Sequence, residues 1–364
     1  MITHHHILRL LIGALALAVL AASCSGGDDE SAEATTTEVT APPSTTETTV
    51  VGDETTTTVD AAPVDELVTD GSPLSGLPPT DAAAANRPAL AIKVDNHPSA
   101  RPQSGLDLAD IVFEIRVEGI TRYLAVFHSN APEAVGPVRS SRTSDFDLLT
   151  GLDTPLYASS GGNDYVASAL RNLDIYSVTA MSRTEYYRNG SRPAPHNLYT
   201  NTADLFALAP SDATPPSPWF DYRVPSASPN PTGRALREPI TITYRGGPLV
   251  THTWDEALGG WLRTQDGKPH TNADGEQLAP ENVVIMVSDY VTSPADSISP
   301  ELVSVGSGQL FVLTDGLVIE GTWSRASAAD KPVLVDSAGN TITLTPGSTW
   351  VLFPESGDVR LPTS

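Results

Sequence analysis

The chain has 364 residues and a single cysteine, and 44 acidic residues against 21 basic ones give a formal net charge of −23. This acidic balance argues against nucleic acid as a partner, because polyanion binding needs clustered basic residues. The lone cysteine rules out an internal disulfide, so the fold must rely on its hydrophobic core, for which the length is ample.

Residues 1–23 are predicted to form a lipoprotein signal peptide. Thirteen residues from Leu10 to Ala22 form an apolar run, shorter than the roughly 20 residues that span a bilayer but typical of a signal-peptide core. The stretch Leu20-Ala21-Ala22-Ser23-Cys24 resembles a bacterial lipobox. We therefore expect lipidation of Cys24 with diacylglycerol or palmitate, at the outer face of the cytoplasmic membrane in the bacterial cell envelope. An ordinary secretory signal or an uncleaved anchor helix is the alternative.

Residues 24–72 are predicted to be a lipidated, disordered tether rich in Thr and Glu. Thirteen acidic residues lie between Asp28 and Asp81, and no Lys or Arg occurs between Arg9 and Arg87. Few apolar side chains and charge of one sign cannot offset the entropy of ordering such a segment. The remainder of the chain then carries a charge of about −11.

Beyond the tether we predict an α+β protein, with a mixed α/β N-terminal domain over residues 73–210 and a mainly β C-terminal domain over residues 238–362. A proline-rich linker over residues 211–237 joins them. In the first domain, residues 89–94, 110–117 and 122–128 have strand composition, and residues 142–152 and 164–173 have helical spacing. In the second, Asp315-Gly316 indicates a hairpin turn.

Sequence motifs resemble those of the DUF3048 family, the YerB-like bacterial lipoproteins, over essentially everything after the tether. The motifs of the first domain are PLSGLP (73–78), DNHPSARPQSGL (95–106), ADIVFEIRVEGITRYLAVF (109–127), GPVRSSR (136–142) and PAPHNLYT (193–200). Those of the second are DGKPHTNADGEQLAPENVVI (266–285), VGSGQLFVL (305–313) and LTPGSTWVLF (344–353). The resemblance implies a lipid anchor and N-terminal and C-terminal DUF3048 domains, but it implies no reaction.

Two arginines of the GPVRSSR motif are candidate anion ligands. If a helix begins at Val138, Arg139 and Arg142 share one face of it, and the helix start adds partial positive charge. The alternative is that Glu118, Asp145 or Asp147 pairs with these arginines and that their role is structural.

Histidines in two proline-containing loops are the other candidates. His97 follows the strand that ends near Asp95, and His196 follows the Pro-Ala-Pro run. Either histidine could act as a general base with Asp95 or Glu114 as the orienting carboxylate, or each could be a structural loop residue.

The sequence therefore favours a membrane-anchored extracytoplasmic lipoprotein that binds an anionic envelope ligand or a partner protein, and it leans against an enzyme. Candidate partners are peptidoglycan, an anionic polymer or an envelope protein. The predicted ligand-binding residues are Arg139, Arg142, His97, Arg101, Gln103, Arg122, His196 and Asn197. The alternative is a cell-envelope hydrolase or transferase whose catalytic residues would be His97, His196, Asp95 and Glu114. We expect neither a cofactor nor a metal.

Overall fold

Strands form most of the regular structure in a computed structural model, which describes residues 67–80, 82–180, 183–227 and 229–362. The predicted signal peptide, Cys24 and most of the predicted tether lie outside the described residues. No helix within these ranges is long and apolar enough to cross a membrane.

The N-terminal region combines seven strands with three short α-helices in its described part. The strands are β1 (Leu90–Asp95), β2 (Ile111–Arg116), β3 (Thr121–Phe127), β4 (Leu156–Ala158), β5 (Tyr176–Ser177), β6 (Tyr186–Arg188) and β7 (Leu198–Thr200). The helices are α1 (Phe146–Thr150), α2 (Asp164–Leu170) and α3 (Thr202–Phe206). The three predicted strands and two predicted helices are therefore present, although the helices are short and strands dominate the region.

The remaining strands follow in the C-terminal region. They are β8 (Arg234–Ala235), β9 (Ile240–Thr243), β10 (Leu249–Asp255), β11 (Gly260–Gln265), β12 (Lys268–Pro269), β13 (Asn282–Met286), β14 (Tyr290–Thr292), β15 (Pro300–Leu302), β16 (Gly306–Thr314), β17 (Leu317–Arg325), β18 (Val333–Asp336), β19 (Thr349–Leu352) and β20 (Val359–Arg360). The predicted hairpin turn joins β16 to β17, and Asp315 and Gly316 have φ values of 53° and 70°. Positive φ at both central positions is what a type I′ turn requires.

One sheet runs through both regions of the sequence. Its order is β18-β17-β16-β13-β19-β2-β3-β1-β4-β5, with β8 paired to β17. The C-terminal strand β19 lies parallel to both β13 and β2, so that Thr349 is opposite Asn282 on one side and Ile111 on the other. The residues of β13 and β19 are all buried, as expected for parallel strands covered on both faces.

A second sheet of order β12-β11-β10-β9-β20 packs against the C-terminal part of the large sheet. Its buried side chains, including Ile242 and Trp261, form one apolar cluster with Val283 and Leu313 of the large sheet. Residues of the predicted linker, Trp219 among them, join a separate apolar cluster.

A buried ion pair holds α1 against β1 and thereby positions the GPVRSSR segment. Lys93 Nζ lies 2.5 Å from Asp145 Oδ1, and both side chains are fully buried. The other carboxylate oxygen of Asp145 accepts hydrogen bonds from Tyr157 and from the backbone N–H of Arg142. Burial lowers the pKa of Lys93 despite this pair. Separating the two side chains would leave an uncompensated buried charge, which is costly. The ion pair therefore holds Asp145, and with it the GPVRSSR segment, close to β1.

The prediction that a helix begins at Val138 is wrong. Val138 forms a bridge with Val94, the N–H of Arg139 donates to the carbonyl of Lys93, and the N–H of Ser141 donates to the carbonyl of Gly161. Because these backbone groups pair with neighbouring strands and loops, they are not free to form helical hydrogen bonds. The helical turn begins only at Thr143.

Candidate functional site

Asp95, the last residue of β1, is the centre of a polar cluster. Its side chain is 1 % exposed. Oδ1 accepts a hydrogen bond from the backbone N–H of His97 at 3.0 Å. Oδ2 lies 2.6 Å from His196 Nδ1 and 3.2 Å from Arg139 Nε. The Arg139 contact is an ion pair without a hydrogen bond at Nε. Two positively charged or ionisable groups thus share one buried carboxylate oxygen.

The two predicted histidines stack on each other. Their ring centroids are 4.2 Å apart and the rings are inclined by 12°. His97 Nδ1 accepts the backbone N–H of Ser99 at 3.1 Å and so caps the short helix that begins at Pro98. His196 Nε2 makes no hydrogen bond within the described residues. The structure therefore brings His97, His196, Asp95 and Arg139 together.

Arg122 lies directly beside this cluster and has no carboxylate partner of its own among the described residues. It is opposite Asp95 in the β1–β3 register and is 5 % exposed. Its Nη1 donates to the carbonyl of Ser140 at 3.0 Å, while Nε has no partner. Burial lowers the pKa of Arg122 to about 10, and the nearby positive charges of Arg142 and Arg139 add to this effect.

Arg142 is neutralised by Glu118. Its Nε and Nη2 donate to the two oxygens of that carboxylate at 2.7 and 2.9 Å. Burial raises the pKa of Glu118, but hydrogen bonds from Arg142 and Ser299 outweigh it and lower the pKa to about 2. This ion pair is the structural alternative to a ligand-binding role for Arg142.

The arginine cluster, which we define as Arg122, Arg139 and Arg142 with their acids Asp95 and Glu118, therefore has one more guanidinium than carboxylate. The terminal nitrogens of Arg139 make no hydrogen bond within the described ranges. Charge-assisted hydrogen bonds to an oxyanion satisfy such donors best, and the two acids of the cluster leave one of its three positive charges without a partner.

A pocket of 660 Å³ adjoins the arginine cluster. Its lining includes hydroxyl, amide and guanidinium groups: Ser140, Ser141, Arg142, Ser160, Asn163 and Ser299. Ser140 also supplies the carbonyl that holds Arg122. A concave surface with a few convergent polar groups is the usual form of a ligand site.

The other predicted ligand residues hold the loops around Asp95. Gln103 donates to the backbone carbonyl of Asp95 at 2.9 Å. Arg101 donates to Asn96 and forms an ion pair with Asp266 at 3.1 Å. These contacts fix the segment that carries His97.

Asn197 and Glu114 have partners away from the histidine rings. Asn197 accepts a hydrogen bond from Arg188. Glu114, which is fully buried, accepts from Thr121 at 2.7 Å and from Arg263 at 2.7 Å. No hydrogen bond joins Glu114 to either histidine in the part of the chain that the structure describes.

Two side chains of the C-terminal region that the sequence did not single out meet the loop after β1. Gln265 donates to Asn96 at 3.1 Å, and His270 Nε2 lies 2.9 Å from Gln103 Oε1. Both belong to or adjoin the DGKPHT motif, so pairing that motif with DNHPSARPQSGL would have been the available signal. Between residues 67 and 362, leaving aside the undescribed positions, no group of three or more His, Cys, Asp or Glu is placed to hold a metal ion.

Comparison with known proteins identifies the class of protein. Residues 74–214 match the family described as "Protein of unknown function (DUF3048) N-terminal domain", and residues 240–351 match the corresponding C-terminal domain. The chain belongs to the DUF3048 family.

Two comparisons point to the same Bacillus subtilis protein. The chain is 30 % identical over 302 residues to "Putative lipoprotein YerB" of Bacillus subtilis (strain 168), covering 77 % of this chain and 85 % of that protein. It is also similar to the crystal structure of the YerB protein from Bacillus subtilis, with a TM-score of 0.69 and 26 % identity. That match covers 80 % of this chain and 99 % of the YerB chain.

Proposed function

We propose that this protein is a lipid-anchored envelope protein that binds an oxyanion, a phosphate or a carboxylate, at the arginine cluster. The observation that carries the proposal is Arg122, a residue that is 5 % exposed and forms no ion pair in the described residues, since the nearby acids pair with Arg139 and Arg142. Burying an unpaired charge is costly, so a bound anion would complete the site.

Access and location agree with this function. Arg139 is partly exposed, and the adjoining pocket opens beside Ser140 and Arg142. The lipobox-like stretch ending at Cys24 supports attachment to the outer face of the cytoplasmic membrane, and the name of the Bacillus subtilis relative describes a lipoprotein. The predicted tether would set the distance between that membrane and the site.

The test is calorimetric titration of the full chain in detergent with inorganic phosphate and with citrate at constant ionic strength. The double variant Arg139→Ala with Arg142→Ala should reduce the affinity for the preferred anion by at least about tenfold, which corresponds to roughly 1.4 kcal/mol. The control is Arg234→Ala, which removes an exposed ion pair with Glu320. Unchanged affinity in the double variant, together with a lowered Tm, would assign these arginines a structural role only.

One observation favours a second candidate, a cell-envelope hydrolase or transferase. The 2.6 Å contact between Asp95 Oδ2 and His196 Nδ1 orients the imidazole, as a general base requires. Hydrolysis of p-nitrophenyl acetate and bis(p-nitrophenyl) phosphate, compared between the wild type and His196→Gln, tests it. Equal rates would reject this candidate.

A further inference from the structure

A smaller pocket continues the pocket that adjoins the arginine cluster. Its volume is 200 Å³, and it shares Gly161 and Gly162 with the pocket of 660 Å³. A Cβ added to Gly161 would meet nothing within 4 Å in the described residues apart from its chain neighbours. Because they share two wall residues and the space beside Gly161 is open, the two pockets form one groove.

Helix α2 gives this groove an apolar wall. Val166 lines the larger pocket, and Ala167 and Leu170 line the smaller one. Residues three and four positions apart are neighbours on a helix surface, so these side chains form one continuous apolar surface. Ala295 and Ile298 add to the apolar lining of the larger pocket, and Ile298 is 78 % exposed.

The polar wall residues of the smaller pocket already have partners. The hydroxyls of Ser177 and Thr179 lie 2.9 Å apart and bind each other. Arg171 Nη1 donates to the carbonyl of Ala167 at 3.0 Å, and the side chain is exposed, so that water can solvate the charged head. The smaller pocket therefore offers a ligand mainly apolar surface.

The larger pocket supplies the polar part of the groove. Ser140 lines it, and the carbonyl of Ser140 accepts a hydrogen bond from Arg122. Two acids line it as well. Glu118 is neutralised by Arg142, and Asp296 is exposed, so water weakens the effect of its charge. The place for an anionic group is therefore the Ser140 side, beside the arginine cluster.

We propose that this groove binds an amphiphilic anion, an oxyanion joined to an apolar chain, with the oxyanion beside Ser140 and the chain along α2 in the smaller pocket. The inference rests on oxyanion binding at the arginine cluster and adds what the oxyanion is attached to. An apolar chain gains by leaving water for apolar walls, whereas a polar chain would lose water without gaining partners there.

The decisive measurement is calorimetric titration of the full chain in detergent, at constant ionic strength, with ethyl and butyl phosphate and with propionate and pentanoate. Each pair has one head group and differs by two methylenes. A buried methylene strengthens binding roughly fourfold, so the longer anion of the preferred head group should bind about tenfold more tightly or better. Equal affinities within both pairs would overturn the proposal, and binding of the short anions would then leave oxyanion binding intact.

Paired glutamine variants of α2 locate the chain. Ala167→Gln keeps a good helix former and places a polar group in the smaller pocket, so it should bring the ratio of long-chain to short-chain affinity close to one and leave the short anion unaffected. Ala169 lies on the same helix and lines neither pocket, so Ala169→Gln should keep the wild-type ratio. Equal ratios in the two variants would contradict the site. Absence of binding by all four anions would reject oxyanion binding as well.

A membrane lipid and a soluble amphiphile share this chemistry, and competition separates the two sources. The full chain is reconstituted in vesicles of phosphatidylcholine alone or of phosphatidylcholine mixed with phosphatidic acid, and is titrated with butyl phosphate. A loss of affinity with phosphatidic acid that exceeds the loss in Ala167→Gln, which meets the same surface charge, would identify a lipid as the ligand. Equal losses would identify a soluble amphiphile.

Discussion

His196 Nδ1 lies 2.6 Å from Asp95 Oδ2, although 101 positions separate the two residues in the chain. Asp95 also faces Arg139, so the same carboxylate orients an imidazole and partly neutralises a candidate anion-binding guanidinium. Anion binding would therefore be strengthened by loss of the negative charge of Asp95, whereas catalysis would need that carboxylate to orient His196.

Asp95→Asn separates the two functions. Removing the negative charge frees Arg139, so oxyanion affinity should rise about three- to tenfold if the site binds anions. A catalytic pair would instead lose its orienting carboxylate, and turnover of the p-nitrophenyl substrates should fall about 100-fold or more. Calorimetry and rate measurements on one preparation give both numbers. The control is Asp221→Asn, which changes a partly exposed ion pair with Lys331.

Arg122→Met should cost little stability while it abolishes oxyanion binding. Methionine keeps much of the buried volume and removes an unpaired charge, so we expect a change in the free energy of unfolding within about 1 kcal/mol. Arg263→Met is the matched contrast, because Arg263 is fully buried against Glu114 at 2.7 Å. Leaving that carboxylate alone should destabilise the protein by about 3–5 kcal/mol. Urea unfolding measures both, and similar losses in the two variants would mean that Arg122 is a structural residue.

Stability should fall as the pH drops below about 6.5, the ordinary histidine value. Burial lowers the pKa of His252 and of His270 well below that value. Below pH 6.5 the unfolded chain therefore binds more protons than the folded protein. Their contribution to the free energy of unfolding is complete above pH 6.5. It is lost as the pH falls from 6.5 toward the pKa values that the two histidines have in the folded protein. Each histidine contributes at most about 1.4 kcal/mol per pH unit.

Urea unfolding of the wild type and of His252→Phe at pH 7.5 and pH 5.5 tests this dependence. The loss of stability between the two pH values should be smaller in the variant, by up to about 1.4 kcal/mol. Carboxylates titrate alike in both proteins and cancel in the comparison. Identical losses would show that His252 is protonated in the folded state.

Cys24→Ser should release the protein from the membrane. Without a lipidated cysteine the acyl chains are absent, and each buried methylene contributes about 0.8 kcal/mol to membrane attachment. Fractionation of cells grown with a labelled fatty acid should show label and membrane attachment in the wild type and neither in the variant. Continued membrane attachment without label would favour an uncleaved anchor helix.

Local pattern predicted much of the fold in this chain. The β-branched runs at 89–94, 110–117 and 122–128 became β1, β2 and β3, because alternating or continuous apolar residues decide which segments are buried as strands. The Asp315-Gly316 turn was equally predictable, because positive φ is a local backbone preference. Helix length was harder to predict from the sequence, since α1 and α2 depend on packing and on caps such as Asn163.

The sequence by itself determined which segments form strands and turns. It also determined the residue types available for a site, including His97, His196, Arg139 and Arg142. Only the tertiary structure decided which of them meet. Sheet pairing places Arg122 opposite Asp95 and brings β19 beside β2. Backbone hydrogen bonds from Arg139 to Lys93 and from Ser141 to Gly161 keep the GPVRSSR segment out of a helix. Those contacts join residues far apart in the chain, where side-chain burial and backbone pairing across the sheet determine proximity and periodicity along the sequence carries no signal.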